Sequence, residues 1–195
     1  MGLALASVKT GLGLSAASLK TVMGLDATTG GGGFTLYAEN TSSVTGTAAI
    51  SNGTNTYFAG QGEYTPAANI TVREVVVNLT KMAGSVSGFT YTCHIYTVTG
   101  SNNDLTTLIE SSTGVTGSNS WSATPVTFSF SGASLTSGTK YGIAFSTNTT
   151  VDGSNYTSFD TTAAGGLSGS RYGWKSDKLY GTFSTGDLKM KIYIN

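Results

Sequence analysis

Ile70-Thr71-Val72-Arg73-Glu74-Val75-Val76-Val77-Asn78-Leu79-Thr80 is the stretch that decides the fold. It is long, β-branched and free of glycine and proline, and Val75, Val77 and Leu79 share one side of an extended chain. Side chains alternate across a strand, so this run predicts a strand with one apolar face. The pattern repeats in both directions. Phe34 to Ala38 alternates large and small residues, with linker and loop predicted on either side of it and a short strand around Ala48 to Ile50. Phe89 to Val98 puts Phe89, Tyr91, Cys93, Ile95 and Thr97 on one side. Leu105 to Glu110, Val126 to Phe130 and Tyr141 to Phe145 follow. In the last run, Leu188, Met190, Ile192 and Ile194 face one way and Lys189 and Lys191 the other. Strands at such spacing, separated by turn residues, predict an all-β sandwich, and a jelly roll suits the length. Residues 147–187 hold few long strands and read as a loop-rich excursion.

Composition agrees. Charged residues are 10% of the 195, glycine supplies 27 positions and proline 2. Threonine, valine and tyrosine favour strands; glycine and asparagine favour the turns between them. Lysine plus arginine equals aspartate plus glutamate, for a formal net charge of zero. That argues against long-range attraction to nucleic acid or anionic lipid. No run of about 18 apolar residues predicts a membrane-spanning helix. The single cysteine, Cys93, excludes an internal disulfide and any multi-cysteine metal site.

The N-terminus is different. Ala6-Ser7-Val8-Lys9-Thr10-Gly11-Leu12-Gly13-Leu14-Ser15-Ala16 is followed by Ala17-Ser18-Leu19-Lys20-Thr21-Val22-Met23-Gly24-Leu25-Asp26-Ala27. A repeat this short cannot bury its own apolar residues and needs neighbours to do so. Residues 1–29 therefore read as an attachment or oligomerisation segment acting through Val8, Leu12, Leu14, Leu19, Met23 and Leu25. Ser15 to Met23 suits a short helix capped by Ser15, or an extended segment interwoven with partner chains. Gly30 to Gly33 reads as a linker. The chain is thus divided into the segment 1–29, a linker and first strand over 30–55, and a β-sandwich head over 56–195. Residues 1–30 lack a basic start and an unbroken apolar run, so no secretion signal is expected.

Catalytic chemistry is poorly supplied. His94 is the only histidine, and its neighbour Cys93 points to the opposite face of the strand, so the two cannot form a nucleophile–base pair. Asp152, Asp160, Asp177, Asp187, Glu63 and Glu110 are the carboxylates near turns or loops, but no spacing pairs two of them as glycosidase chemistry requires. The chain is not expected to be an enzyme. Aromatics concentrate in the excursion, with Tyr156, Tyr172, Trp174 and Tyr180 among charged side chains and Trp121 in an earlier turn. Such rings either stack on sugar faces or fill the core beneath the loop.

The order of these features resembles a jelly-roll module of bacteriophage tail and head fibres and of some bacterial surface and carbohydrate-binding proteins. It runs from the Ile70 strand through His94-Ile95-Tyr96, Leu108-Ile109-Glu110-Ser111, Trp121, Val126 to Phe130, Leu135 to Ile143 and Tyr172-Gly173-Trp174 to the strand at Asp187 to Tyr193. The N-terminal repeats look like segments of phage virion proteins. The resemblance implies a structural virion protein, a fibre or capsid decoration protein made in the host cytoplasm and assembled through residues 1–29 with other virion proteins. It further implies a homo-oligomer, with a trimer favoured, and a head that touches host surface polysaccharide. The alternative is a carbohydrate-binding module of a secreted or cell-surface protein. No cofactor is expected beyond a structural calcium, for which the resemblance implies Glu63 and Asp187.

Overall fold

The computed structural model describes residues 33–50, 58–100, 103–149, 154–175, 177–184 and 186–195. The N-terminal repeat, with Val8, Leu12, Leu14, Leu19, Met23 and Leu25, lies outside the described residues. The described chain is all-β. Its strands are β1 (Thr35–Glu39), β2 (Val44–Ala49), β3 (Phe58–Tyr64), β4 (Ile70–Ala83), β5 (Thr90–Thr99), β6 (Asp104–Ser111) and β7 (Val115–Thr116). They continue with β8 (Thr124–Leu135), β9 (Tyr141–Thr147), β10 (Tyr156–Thr162), β11 (Ser170–Trp174), β12 (Tyr180–Ser184), β13 (Asp187–Leu188) and β14 (Met190–Ile194).

Two antiparallel seven-stranded sheets form a β-sandwich, as expected. The first runs β1-β14-β4-β10-β13, with β2 on β10 and β8 on β4; the second runs β12-β11-β3-β9-β5-β6, with β7 on β5. This order does not establish the jelly-roll connectivity that the resemblance implies. β4 organises the first sheet. β8 follows one edge from Ile70 to Leu79, while the other edge is shared by β14 over Val72–Val77 and β10 over Leu79–Ala83.

The core lies between the sheets. Val75, Val77, Leu79, Phe128, Met190 and Ile192 meet Tyr91, Cys93, Ile95, Ile143 and Phe145, all fully or almost fully buried. Phe145 packs edge-on to Phe128 and Phe159, with ring centroids 5.2 and 4.8 Å apart. Buried positions on β4 shift from Ile70 and Val72 to Val75, Val77 and Leu79. The cause is a bulge at Arg73, where Glu74 pairs with Tyr193 but Val72 pairs with Ile194.

The structure corrects the expected loops. Residues 147–187 carry β10, β11 and β12, and the short strand expected around Ala48 is the end of β2, which begins at Val44 and pairs with β10. β10 holds Thr157, Ser158, Asp160, Thr161 and Thr162, all buried between β4 and β2 or β13. A strand buried with polar residues leaves no apolar alternation to read. β3 was hidden by its glycines. A Cβ at Gly60 would collide with the backbone of Ile143 and Ala144 on β9, so only glycine allows the two strands to pair this closely.

Candidate functional site

Alternation that sends one set of side chains into the core turns the other set outward. On the first sheet Val76 and Asn78 of β4, Pro125 and Thr127 of β8, and Lys191 and Tyr193 of β14 share the outer face. Val76 stands opposite both Lys191 and Thr127, and Asn78 opposite Pro125. β1 brings Glu39 against Lys191. Together with Asn40, Lys189 and Met190 these residues line a groove of about 280 Å³. That is close to the lower end of ligand-site volumes, roughly 300–1,000 Å³.

Its polar groups are held in place. Lys191 Nζ lies 3.0 Å from Glu39 Oε1. Lys189 Nζ donates to the carbonyl of Ser42 at 2.8 Å. Asn78 Nδ2 donates to Asp160 Oδ2 at 3.1 Å. Asn40 is fully buried, donating to Thr162 Oγ1 and the Leu188 carbonyl and accepting from the Ser42 amide. The groove therefore presents amide, ammonium and carboxylate groups beside the apolar surfaces of Val76 and Pro125, with the buried Tyr193 forming part of its wall, a combination suited to a hydroxylated ligand.

The aromatics singled out from the sequence do not form one surface. Tyr172 and Trp174 stack on each other on the outer face of the second sheet, centroids 5.7 Å apart and 18° between planes. They are buried with Tyr96, Val98, Leu105 and Ala144 in a second apolar cluster. Trp174 is 0% exposed and its Nε1 donates to the Asn103 carbonyl. Tyr172 Oη accepts from Asn103 Nδ2 and donates to Glu63 Oε2, both at 2.9 Å. Both rings are buried in this outer cluster on β11 rather than in the core end beneath a loop, and neither has a free face for a sugar. Trp121 sits in the main core against Tyr91, centroids 5.3 Å apart. Tyr156 is half-buried at the start of β10. Tyr180 lies in β12, and its side chain is outside the described residues.

Among the described residues Glu63 and Asp187 share no partner, and each is engaged elsewhere. Glu63 accepts from Lys140 Nζ at 2.6 Å and from Tyr172. The Lys140 contact, reinforced by Tyr172, holds its carboxyl below the usual glutamate value against the opposing effect of burial. Asp187 is fully buried; Oδ1 accepts from Gln61 Nε2, and Oδ2 from the amides of Gly165, Gly166 and Leu167 at 2.8–3.2 Å. Its lone pairs are directed at N–H groups, which leaves a poor metal ligand. Among the described residues no group of three or more His, Cys, Asp or Glu side chains is placed to hold a metal ion.

Cys93 and His94 do face opposite ways. Cys93 is in the core, where burial raises its thiol pKa. His94 is outside, Nδ1 2.8 Å from Ser111 Oγ and Nε2 2.9 Å from Ser146 Oγ. Burial, with the nearby Lys178 charge, brings its pKa down to about 4, so the ring is neutral at pH 7. A serine beside a neutral imidazole is half of a nucleophilic site; among the described residues no carboxylate is hydrogen-bonded to the ring to complete it.

Comparison with protein-family models, curated proteins and solved structures found no match. The groove residues therefore carry the functional reading by their own chemistry. Glu39, Asn40, Asn78 and Tyr193 gave no signal in the sequence. The available signal was Lys189 and Lys191 on the polar side of a strand whose other side is apolar.

Proposed function

We propose that the chain is a structural phage virion protein, a fibre or decoration component whose β-sandwich holds a host-surface polysaccharide in the groove over β4, β8 and β14. The observation that carries the binding part is the groove itself, where hydrogen-bonding side chains are fixed by their neighbours next to the aliphatic surfaces of Val76 and Pro125. Prepositioned polar groups bind sugar hydroxyls with little ordering cost. The assignment to a virion rests on the resemblance, and in it residues 1–29 attach or oligomerise the protein, with a trimer favoured. Many copies on one particle make weak single sites effective, because each further site binds at high local concentration. The role is binding without catalysis. The same groove serves the alternative, a carbohydrate-binding module of a secreted or cell-surface protein.

Peptide mass spectrometry on purified, salt-washed particles separates the two. Peptides from residues 1–29 and from the sandwich, at one copy number, support the virion role. Their absence from particles, with the protein found on cells or in the medium, overturns it in favour of the module.

A further inference from the structure

We propose that the groove takes a saccharide bearing a free amine, and that Glu74 receives the ammonium. This rests on the glycan-binding reading and adds the class of glycan.

Glu74 stands on the outward side of β4, directly opposite Tyr193 on β14 and two residues before Val76, and both of those residues line the groove. It is only 4% exposed. Its Oε2 is the one buried side-chain nitrogen or oxygen among the described residues without a hydrogen-bond partner. Three other carboxylates among the described residues are treated differently: Glu39 has Lys191, Asp160 has Asn78, and Asp187 has Gln61 and three backbone amides. A buried carboxylate without a partner opposes folding. A group kept in that condition beside a binding groove marks a place where a ligand supplies the missing donor.

The surroundings select the donor. A divalent cation takes six or more oxygens for calcium, or near-octahedral geometry for magnesium, and among the described residues no three acid or histidine side chains converge. One negative charge beside Tyr193 and Val76 matches one positive charge carried on an organic ring. An amino sugar places an ammonium at Glu74, lays its ring over Val76 and the exposed Pro125, and leaves hydroxyls for Asn78 and the Lys191–Glu39 pair. Because Oε2 is sealed from solvent here, binding requires the groove wall to part at Tyr193 or its neighbours.

The test is calorimetric titration of the full chain with chitosan oligosaccharides, which carry free amines, and with the same oligosaccharides after N-acetylation, alongside a panel of amine-free polysaccharides. The proposal expects the free-amine form to bind at least tenfold more tightly than the acetylated form. It expects Glu74→Gln, which keeps the shape and removes the charge, to abolish that preference while melting at the same temperature or higher. The comparison of the two oligosaccharides uses the unaltered chain and is independent of how the variant folds. Equal binding of both forms, an unaltered preference in Glu74→Gln, or binding of amine-free glycans alone overturns the amine assignment and leaves the glycan reading standing. Failure of every glycan to bind overturns both. Glucosamine monomer in a further arm separates recognition of the amine alone from recognition of the chain.

Discussion

At Asp187, four N–H groups converge on one buried carboxylate: Gln61 on one oxygen, and Gly165, Gly166 and Leu167 on the other. This residue pins the 165–167 loop to the end of the first sheet. Asn in its place turns one oxygen into an NH₂ donor facing N–H groups, so Asp187→Asn is expected to destabilise the fold by about 2–4 kcal/mol, measured by urea denaturation. His94 gives a pH effect with a definite sign. Its pKa is lowered from 6.5 to about 4 in the folded chain, so below pH 6.5 the unfolded chain takes the proton first. Stability contributed by the neutral ring is complete above pH 6.5 and falls as pH drops toward 4. Glu63 and Glu110 both have lowered carboxyl values, so their contributions fade only from about the ordinary glutamate value, 4.5, downward. The difference in thermal melting between the unaltered chain and a His94 variant over pH 6.5 to 5 therefore reports on His94. His94→Gln, whose amide can still bond Ser111 and Ser146, is expected to flatten the slope there; an unchanged slope would place its origin elsewhere.

Among the elements, β4 was legible because Val75, Val77 and Leu79 alternate into the core, although the bulge at Arg73 and the burial of Glu74 on the outer side gave no such pattern. Leu79, fully buried at the point where β14 gives way to β10, is expected to cost about 2–5 kcal/mol when cut to alanine. β3 and β10 were not legible, for opposite reasons. β10 buries threonine, serine and aspartate, whose side chains are satisfied by partners distant in sequence, as Asp160 is by Asn78. β3 substitutes glycine for side chains where backbones approach closely. Gly60→Ala forces β3 away from β9 and is expected to prevent folding or lower the melting temperature by more than 10 °C, a shift that corresponds to roughly 3 kcal/mol or more in a protein of this size. The harmless alternative, Gly88→Ala, meets no atom within 4 Å and serves as the control.

For the whole molecule, strand pattern and composition were enough for an all-β sandwich, because two sheets with one buried face each are the simplest way to hide so many alternating strands. The binding surface was harder to find. Sequence favours conspicuous rings, and Tyr172 and Trp174 were conspicuous, yet their size is what the second apolar cluster uses. The groove is instead assembled from residues far apart in sequence, Glu39 through Tyr193, which only sheet register brings together. If the groove binds a polysaccharide, Lys191→Ala weakens binding by about tenfold, while Trp174→Ala destabilises the fold. The most direct test of the central claim is to follow backbone amide NMR signals of the full chain while titrating host-surface polysaccharides. The account predicts shifts concentrated at Glu39, Asn78, Thr127, Lys189, Lys191 and Tyr193. Shifts confined to the second sheet around Tyr172 and Trp174, or no shifts with any polysaccharide, would contradict it.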